Sequence, residues 1–451
     1  MRKLIFTLSY LFFNSFVFTQ TIIRLDDSRV SANELDRKIT QLMKVASVTG
    51  MAISIFNDNK PVYNKVFGYK NTETKAPLQA TTNIYGASLS KAVFSVLVMK
   101  LVEEKIISLD KPLQDYLPQP VYDYGQGSNW GEDFTSLKDE PLYKKITARH
   151  CLSHSSGFAN WRWFEPDQKL HIHFEPGSQY SYSGDGLGYL QLVIEKITGK
   201  KLNELMKEKL FGPIGMKNSS YTWQPEYEAN YCLGHDKTGK PYQKDKDNAP
   251  RSASTLETTA EDYTLFTTAV LQKKILKPAS FDTLFSQQLR LRSKVQMGTD
   301  AWKDSTNEND DIRLGYALGW GRLQTPYGFG VFKEGHGDGF QHYTILFPEK
   351  KMGIVILANS DNAESIFKEL LEYAIGDRFT PWKWQNYIPY NQKAIDMFLS
   401  VRLICYYDAS VQPALRSEAT NRSQPIAIGS CTSGTSIEHN NLKFFKCSLL
   451  F

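Results

Sequence analysis

Tyr85-Gly86-Ala87-Ser88-Leu89-Ser90-Lys91 opens an apolar run, from Ala92 to Lys105, that predicts a helix buried on more than one face. Ser88 then stands at the helix N-terminus, where the dipole and free backbone N–H groups favour negative charge. Lys91 lies one turn on, on the same face, within reach of the Ser88 hydroxyl. A lysine buried there has a depressed pKa, and the neutral amine can accept the serine proton. S-x-x-K is a short pattern, and its surroundings decide what it means.

Towards the N-terminus, Ser31-Ala32-Asn33-Glu34 is a capping box, followed at helical spacing by Leu35, Ile39, Leu42, Met43 and Ala46. A helix to about Ser47 follows. Strands are expected from Gly50 to Phe56 and from Val62 to Tyr69, around the turn Asn57-Asp58-Asn59-Lys60. Beyond the Ser88 helix, the stretch from Tyr122 to Lys138, rich in Gly, Asp, Ser and Tyr, reads as a long surface loop. Helices are expected from Leu187 to Thr198, from Leu202 to Leu210 and from Thr258 to Leu271. Strands return from Tyr316 to Leu323, Gly328 to Phe332, Tyr343 to Phe347 and Gly353 to Ala358, and a helix runs from Glu364 to Ile375. The expected class is α/β of the α+β kind. An antiparallel sheet is flanked by N- and C-terminal helices, with an all-helical subdomain inserted at about 85–300.

The 451 residues are 41% hydrophobic and 22% charged, a globular balance with material for a large core. The net charge of +5 is spread without a basic block, which argues against a nucleic-acid partner. Met1-Arg2-Lys3 and the apolar run to about Phe18 read as a signal peptide over residues 1–20, with a poor cleavage site at Phe18-Thr19-Gln20. A periplasmic or secreted protein, without an integral membrane span after leader removal, is expected. Cys151, Cys232, Cys405, Cys431 and Cys447 show neither a disulfide framework nor a zinc spacing. The domain is expected to cover 21–380 and a partly disordered extension 381–451, where Trp382, Trp384 and Tyr387 suggest one last packed stretch.

Three blocks give the Ser88 motif its context. The first runs from Tyr85 through Leu101-Val102-Glu103-Glu104-Lys105 to Leu109-Asp110-Lys111-Pro112-Leu113 and Tyr116-Leu117-Pro118. The second is Ile146-Thr147-Ala148-Arg149-His150-Cys151-Leu152-Ser153-His154-Ser155-Ser156-Gly157. The third is Glu175-Pro176-Gly177-Ser178-Gln179-Tyr180-Ser181-Tyr182-Ser183-Gly184. Together they closely resemble the beta-lactamase-related serine hydrolase family, which includes class C beta-lactamases, D-alanyl-D-alanine carboxypeptidases and certain esterases. The resemblance spans roughly Ile39 to Asp377 and implies a penicillin-recognising fold.

By that resemblance Tyr182 is a second proton-transfer residue beside Lys91. Two lysines nearby would stabilise its phenolate. Gly184 stands where the family's Y-x-N pattern has Asn, so an amide that orients substrate and lysine is missing. The third motif, K-T-G or H-x-G in the family, has two registers here. In one, Lys333-Glu334-Gly335 follows the strand ending at Phe332, Gly335 allows close backbone approach, and the His336 N–H joins that of Ser88 as the oxyanion hole. In the other, His336 is the side-chain member and Gly339 the oxyanion donor. Glu334, where Thr or Ser is typical, would bring negative charge towards a substrate carboxylate.

Phe164-Glu165-Pro166-Asp167 looks like the omega-loop glutamate of class A beta-lactamases but precedes Tyr182, and reads as a plain loop. His150, His154, His171, His173 and His235 lack a carboxylate cluster, and neither a metal nor a cofactor is expected. Trp130, Phe158, Trp161, Trp163, Phe164 and Tyr180 form either a wall for a substrate side chain or loop anchors. The expected function is an exported, monomeric serine hydrolase forming an acyl-enzyme through Ser88 on amide or ester bonds of a small molecule or peptide, peptidoglycan included. The alternative is a catalytically impaired ligand sensor of the same fold, kept in view by Gly184 and Glu334.

Overall fold

The N-terminal capping box is built as the sequence implies. In the computed structural model, which describes residues 20–125, 133–246, 249–298 and 301–392, Ser31 caps helix α1 (Ala32–Ala46) and exchanges hydrogen bonds with Glu34. Leu35, Ile39, Leu42 and Met43 form its buried stripe. The chain then enters the sheet at β1 (Gly50–Asn57) and returns along β2 (Lys60–Asn71). Asp58 and Asn59, both at positive φ, make the tight turn between them.

Seven further strands complete the sheet: β3 (Ala76–Pro77), β4 (Leu289–Arg290), β5 (Gly315–Tyr316), β6 (Gly321–Thr325), β7 (Gly328–Gly337), β8 (Phe340–Phe347) and β9 (Met352–Ala358). Their order is β3-β2-β1-β9-β8-β7-β6-β5-β4, with antiparallel neighbours throughout. The C-terminal strands therefore lie inside the sheet and β1 pairs directly with β9. One sheet face buries Ile53, Ile55, Ile345 and Ile354 with Leu35 and Ile39 of α1 and Leu370 and Leu371 of the C-terminal helix, Phe367–Ile375. The other buries Val331, Leu346, Val355 and Leu357 with the inserted helices.

Helix α2 (Leu89–Glu103) is the centre of that second layer and buries nearly every residue. Helices α3 (Ala148–Leu152), α4 (Gly184–Thr198) and α5 (Ala260–Leu271) pack around it. Two details differ from the expected pattern. Tyr316 and Leu323 lie on separate strands, because Ala317–Trp320 leaves the sheet to pack on α2, with Gly319 at φ 81°. The segment around 122–138 contains short 3-10 turns, Val121–Tyr124 and Thr135–Asp139, and buries Phe134 and Leu137, so it is more than a surface loop. Trp382 and Trp384 are buried against the α1 face of the sheet. No helix among the described residues is long and apolar enough to cross a membrane. The leader through residue 19, Trp130, Cys405, Cys431, Cys447 and the tail from 393 lie outside the described residues.

Candidate active site

Ser88 is presented by a strained entry to α2. Ile84–Tyr85 is pinned to Glu257–Thr258 as a two-stranded ladder, and Ala87 takes φ 46° immediately before Ser88. Ser88 caps α2 and stays partly accessible, while Ser90, on the next turn, is locked inside by the Ala87 carbonyl and the Leu256 N–H. The N–H groups of Leu89, Ser90 and Lys91 are taken up by the Gly86, Ala87 and Ser88 carbonyls, so what favours negative charge beside Ser88 is the helix dipole.

Lys91 is 1% exposed, and its Nζ lies 3.0 Å from Ser88 Oγ and 2.9 Å from the Ala253 carbonyl. Burial drives its pKa well below the usual lysine range, and the Lys333 charge pushes the same way. Tyr182 is buried; its hydroxyl accepts from Lys333 Nζ at 3.0 Å and contacts Ser88. Burial raises its pKa above that of an ordinary phenol, and Lys333 only partly offsets this. Of the two lysines expected beside Tyr182, Lys333 is the one whose charge and hydrogen bond lower its pKa. Burial holds the Lys91 pKa well down, and the charge of Lys333 is met by Glu334.

Lys333 and Gly335 lie inside β7 rather than after it. The ladder to β6 ends at Gly321–Phe332, while that to β8 continues to Gly337, so Lys333–Gly337 has one flank open beside Ser88. A Cβ on Gly335 would stand 2.8 Å from the Gly86 carbonyl and 3.3 Å from Leu89, so only glycine lets β7 approach this closely. The Glu334 carboxylate lies 2.5 Å from Lys333 Nζ, at 2% exposure. Burial works against both charges, yet each holds the other ionised: the lysine is raised and the glutamate lowered. Glu334 therefore spends its charge on Lys333 rather than on a substrate carboxylate. The His336 ring turns to Glu364 at 3.0 Å, and the Gly339 N–H is bonded to Asp361. The geometry thus favours Lys333 over His336 as the side-chain member.

The Beta-lactamase family pattern matches residues 35–375. The chain belongs to the Beta-lactamase family. Protein flp of Staphylococcus aureus strain MW2 is 23% identical over 336 residues, 73% of this chain and 63% of that protein. The chain therefore spans less than two thirds of the length of Protein flp, although it covers 87% of a Beta-lactamase from Yersinia enterocolitica that is 23% identical over 364 residues. The octameric penicillin-binding protein homologue from Pyrococcus abyssi superposes with a TM-score of 0.61 at 20% identity over 79% of this chain and 80% of that one. The D-alanine carboxypeptidase AmpC from Burkholderia cenocepacia gives 0.59 at 21% identity over 75% and 97%. Likeness at these identities speaks for the fold.

This Beta-lactamase family chain departs from the expected pattern at Gly184. Its N–H is already bonded to the Asn160 carbonyl at 2.8 Å, so it offers no free donor to a substrate or oxyanion. The space where a side chain would stand is filled: an ideal Cβ would lie 2.4 Å from Trp161 Cη2. His154 braces the same loop. Its Nδ1 accepts the Ser183 N–H at 3.1 Å, its ring packs 4.3 Å from Tyr182, and burial holds it neutral.

The remaining candidates separate from the site. Glu165 bonds His173, and His171 bonds Asp167, in the loop after Trp163. His150 caps α3, and His235 bonds the Asn359 carbonyl. No group of three or more His, Cys, Asp or Glu could hold a metal ion among the described residues. Phe158 and Tyr180 are core residues, whereas Trp161, Trp163 and Phe164 form a contiguous ring cluster. The Trp161–Gly184 exchange and the Glu334–Lys333 pair escaped sequence reasoning. The one signal for the first was a glycine where an amide is usual, with two tryptophans just after the second block.

Proposed function

We propose that this protein is a serine hydrolase that forms an acyl-enzyme on Ser88. The observation that carries this reading is Lys91: a buried amine, its pKa driven well below the usual lysine range, 3.0 Å from the hydroxyl of an accessible serine at a helix N-terminus.

In this reading Ser88 Oγ attacks the carbonyl carbon of an ester or amide as its proton passes to Lys91. Negative charge grows on the carbonyl oxygen, which the backbone N–H groups of Ser88 and His336 stabilise. The ammonium formed on Lys91 then lies over the Tyr182 ring, 4.7 Å from its centroid. Tyr182 relays a proton to the leaving alkoxide or amine as the acyl C–O or C–N bond breaks. Water, deprotonated through the same pair, attacks the ester on Ser88, releases the carboxylic acid and restores the serine hydroxyl. Lys333, its charge balanced by Glu334, holds the Tyr182 hydroxyl in place for this relay.

Pre-steady-state hydrolysis of 4-nitrophenyl acetate tests the reading. The wild type should release a burst of nitrophenolate close to one equivalent, and Ser88→Ala should lose it. Steady release without a burst, equal in both proteins, would overturn the assignment.

A further inference from the structure

We infer that Trp161 selects substrates by their acyl group, favouring esters of apolar, flat acyl groups over acylamino-acid and peptide substrates. The inference rests on the Ser88 reading and concerns the same site.

The place beside Tyr182 and Lys91 that a side chain at 184 would occupy holds the six-membered ring of Trp161. Three ring atoms lie 2.4–2.6 Å from the ideal Cβ position. The indole is held there from both sides. Before it, the Asn160 carbonyl receives the N–H groups of Gly184 and Asp185. After it, the Arg162 N–H bonds Asp185 at 2.7 Å, and the buried guanidinium bonds the same carboxylate at 2.8 Å. The outer face of Trp161 stacks on Trp163, with centroids 4.8 Å apart and planes 11° from parallel. Trp163 meets the edge of Phe164. Lys91 Nζ lies 5.9 Å from the Trp161 centroid, so the ring borders the reacting serine.

A wall of this kind presents π faces where an amide side chain at 184 would stand, and the neighbouring Asn160 amide is turned to the Gly184 N–H, which its Oδ1 accepts at 3.1 Å. An acylamino group passing along it would lose water from its N–H and find no acceptor on the rings. A phenyl or branched alkyl group would bury its area on the rings instead. The chemistry is the acyl transfer already described: the Ser88–acyl bond forms, the ester C–O bond breaks, and the proton of Ser88 leaves with the alcohol.

The test compares 4-nitrophenyl 3-phenylpropanoate with 4-nitrophenyl N-acetylglycinate, each kcat/KM divided by the ester's hydroxide hydrolysis rate. The wild type should prefer the phenylpropanoate by at least about tenfold. Trp161→Ala, and Gly184→Ala by displacing the indole, should bring the ratio to within about threefold. Trp161→Phe should keep most of the preference. Fluorophosphonate labelling of Ser88 serves as the control for an assembled site. A wild type without the preference overturns the inference, and needs no variant to fold. So does an unchanged ratio in Trp161→Ala that still labels. A wild type that neither labels nor hydrolyses either ester overturns the Ser88 reading itself.

Discussion

Lys333 and Glu334, neighbours on one strand, are joined by a buried contact of 2.5 Å between ammonium and carboxylate. Side chains of successive strand residues leave on opposite faces. The charge of Glu334 accordingly acts on Tyr180 and Tyr316, which share one buried cluster with Tyr182, and its carboxylate reaches the lysine that serves Tyr182. One negative charge thereby tunes the whole site: it raises Lys333, Lys91 and Tyr182 together.

Glu334→Gln is therefore expected to shift the pH profile of kcat/KM as a unit. Catalysis needs neutral Lys91, so activity appears as pH rises through its depressed pKa. Removing a negative charge destabilises the Lys91 ammonium and moves that acid limb lower. The same loss eases ionisation of Tyr182 and of the Lys333 ammonium, so the alkaline limb also moves lower. Each limb should move by about one pH unit. Profiles with a 4-nitrophenyl ester check this, and limbs that stay in place would contradict it.

Gly335→Ala should separate chemistry from folding. The added methyl would stand 2.8 Å from the Gly86 carbonyl and push β7 away from Ser88. A shift of this size is expected to lower kcat by about a hundredfold. Guanidinium unfolding should show a loss of about 1–3 kcal/mol, which leaves the protein folded while kcat is read. Full activity would show that β7 and the Ser88 loop are not held in the productive spacing.

The Arg162–Asp185 pair, with side chains 8% and 6% exposed, anchors the loop that carries Trp161. Arg162→Met leaves the Asp185 carboxylate buried without its cation, and burial already raises that carboxyl. The expected loss of stability is about 3–5 kcal/mol, read from chemical denaturation. Replacing both residues together, Arg162→Met with Asp185→Leu, should recover much of it.

Much of this was legible in the sequence because it is local. The Ser31 capping box, the Asn57–Lys60 turn and the Ser88–Lys91 spacing each sit within a few residues, and each formed. The run from Tyr316 to Leu323 misled because its apolar residues are buried for two reasons. Tyr316 and Leu323 face the α1 side of the sheet, while Leu318 and Trp320 leave it for the helical layer. Gly335 and Gly337 made the strand read as ending at Phe332, whereas β7 runs on to Gly337 and the turn is Asp338-Gly339. Trp161 could not be tied to Gly184 by spacing, since their meeting depends on hydrogen bonds between two separated loops.

The central claim is that Ser88 is the nucleophile, and intact-mass spectrometry tests it most directly. The wild type and Ser88→Ala are each exposed to a fluorescent penicillin and to a fluorophosphonate. The account predicts a single adduct on the wild type with at least one probe and none on the variant. No adduct on the folded wild type, or an equal adduct on Ser88→Ala, would contradict it.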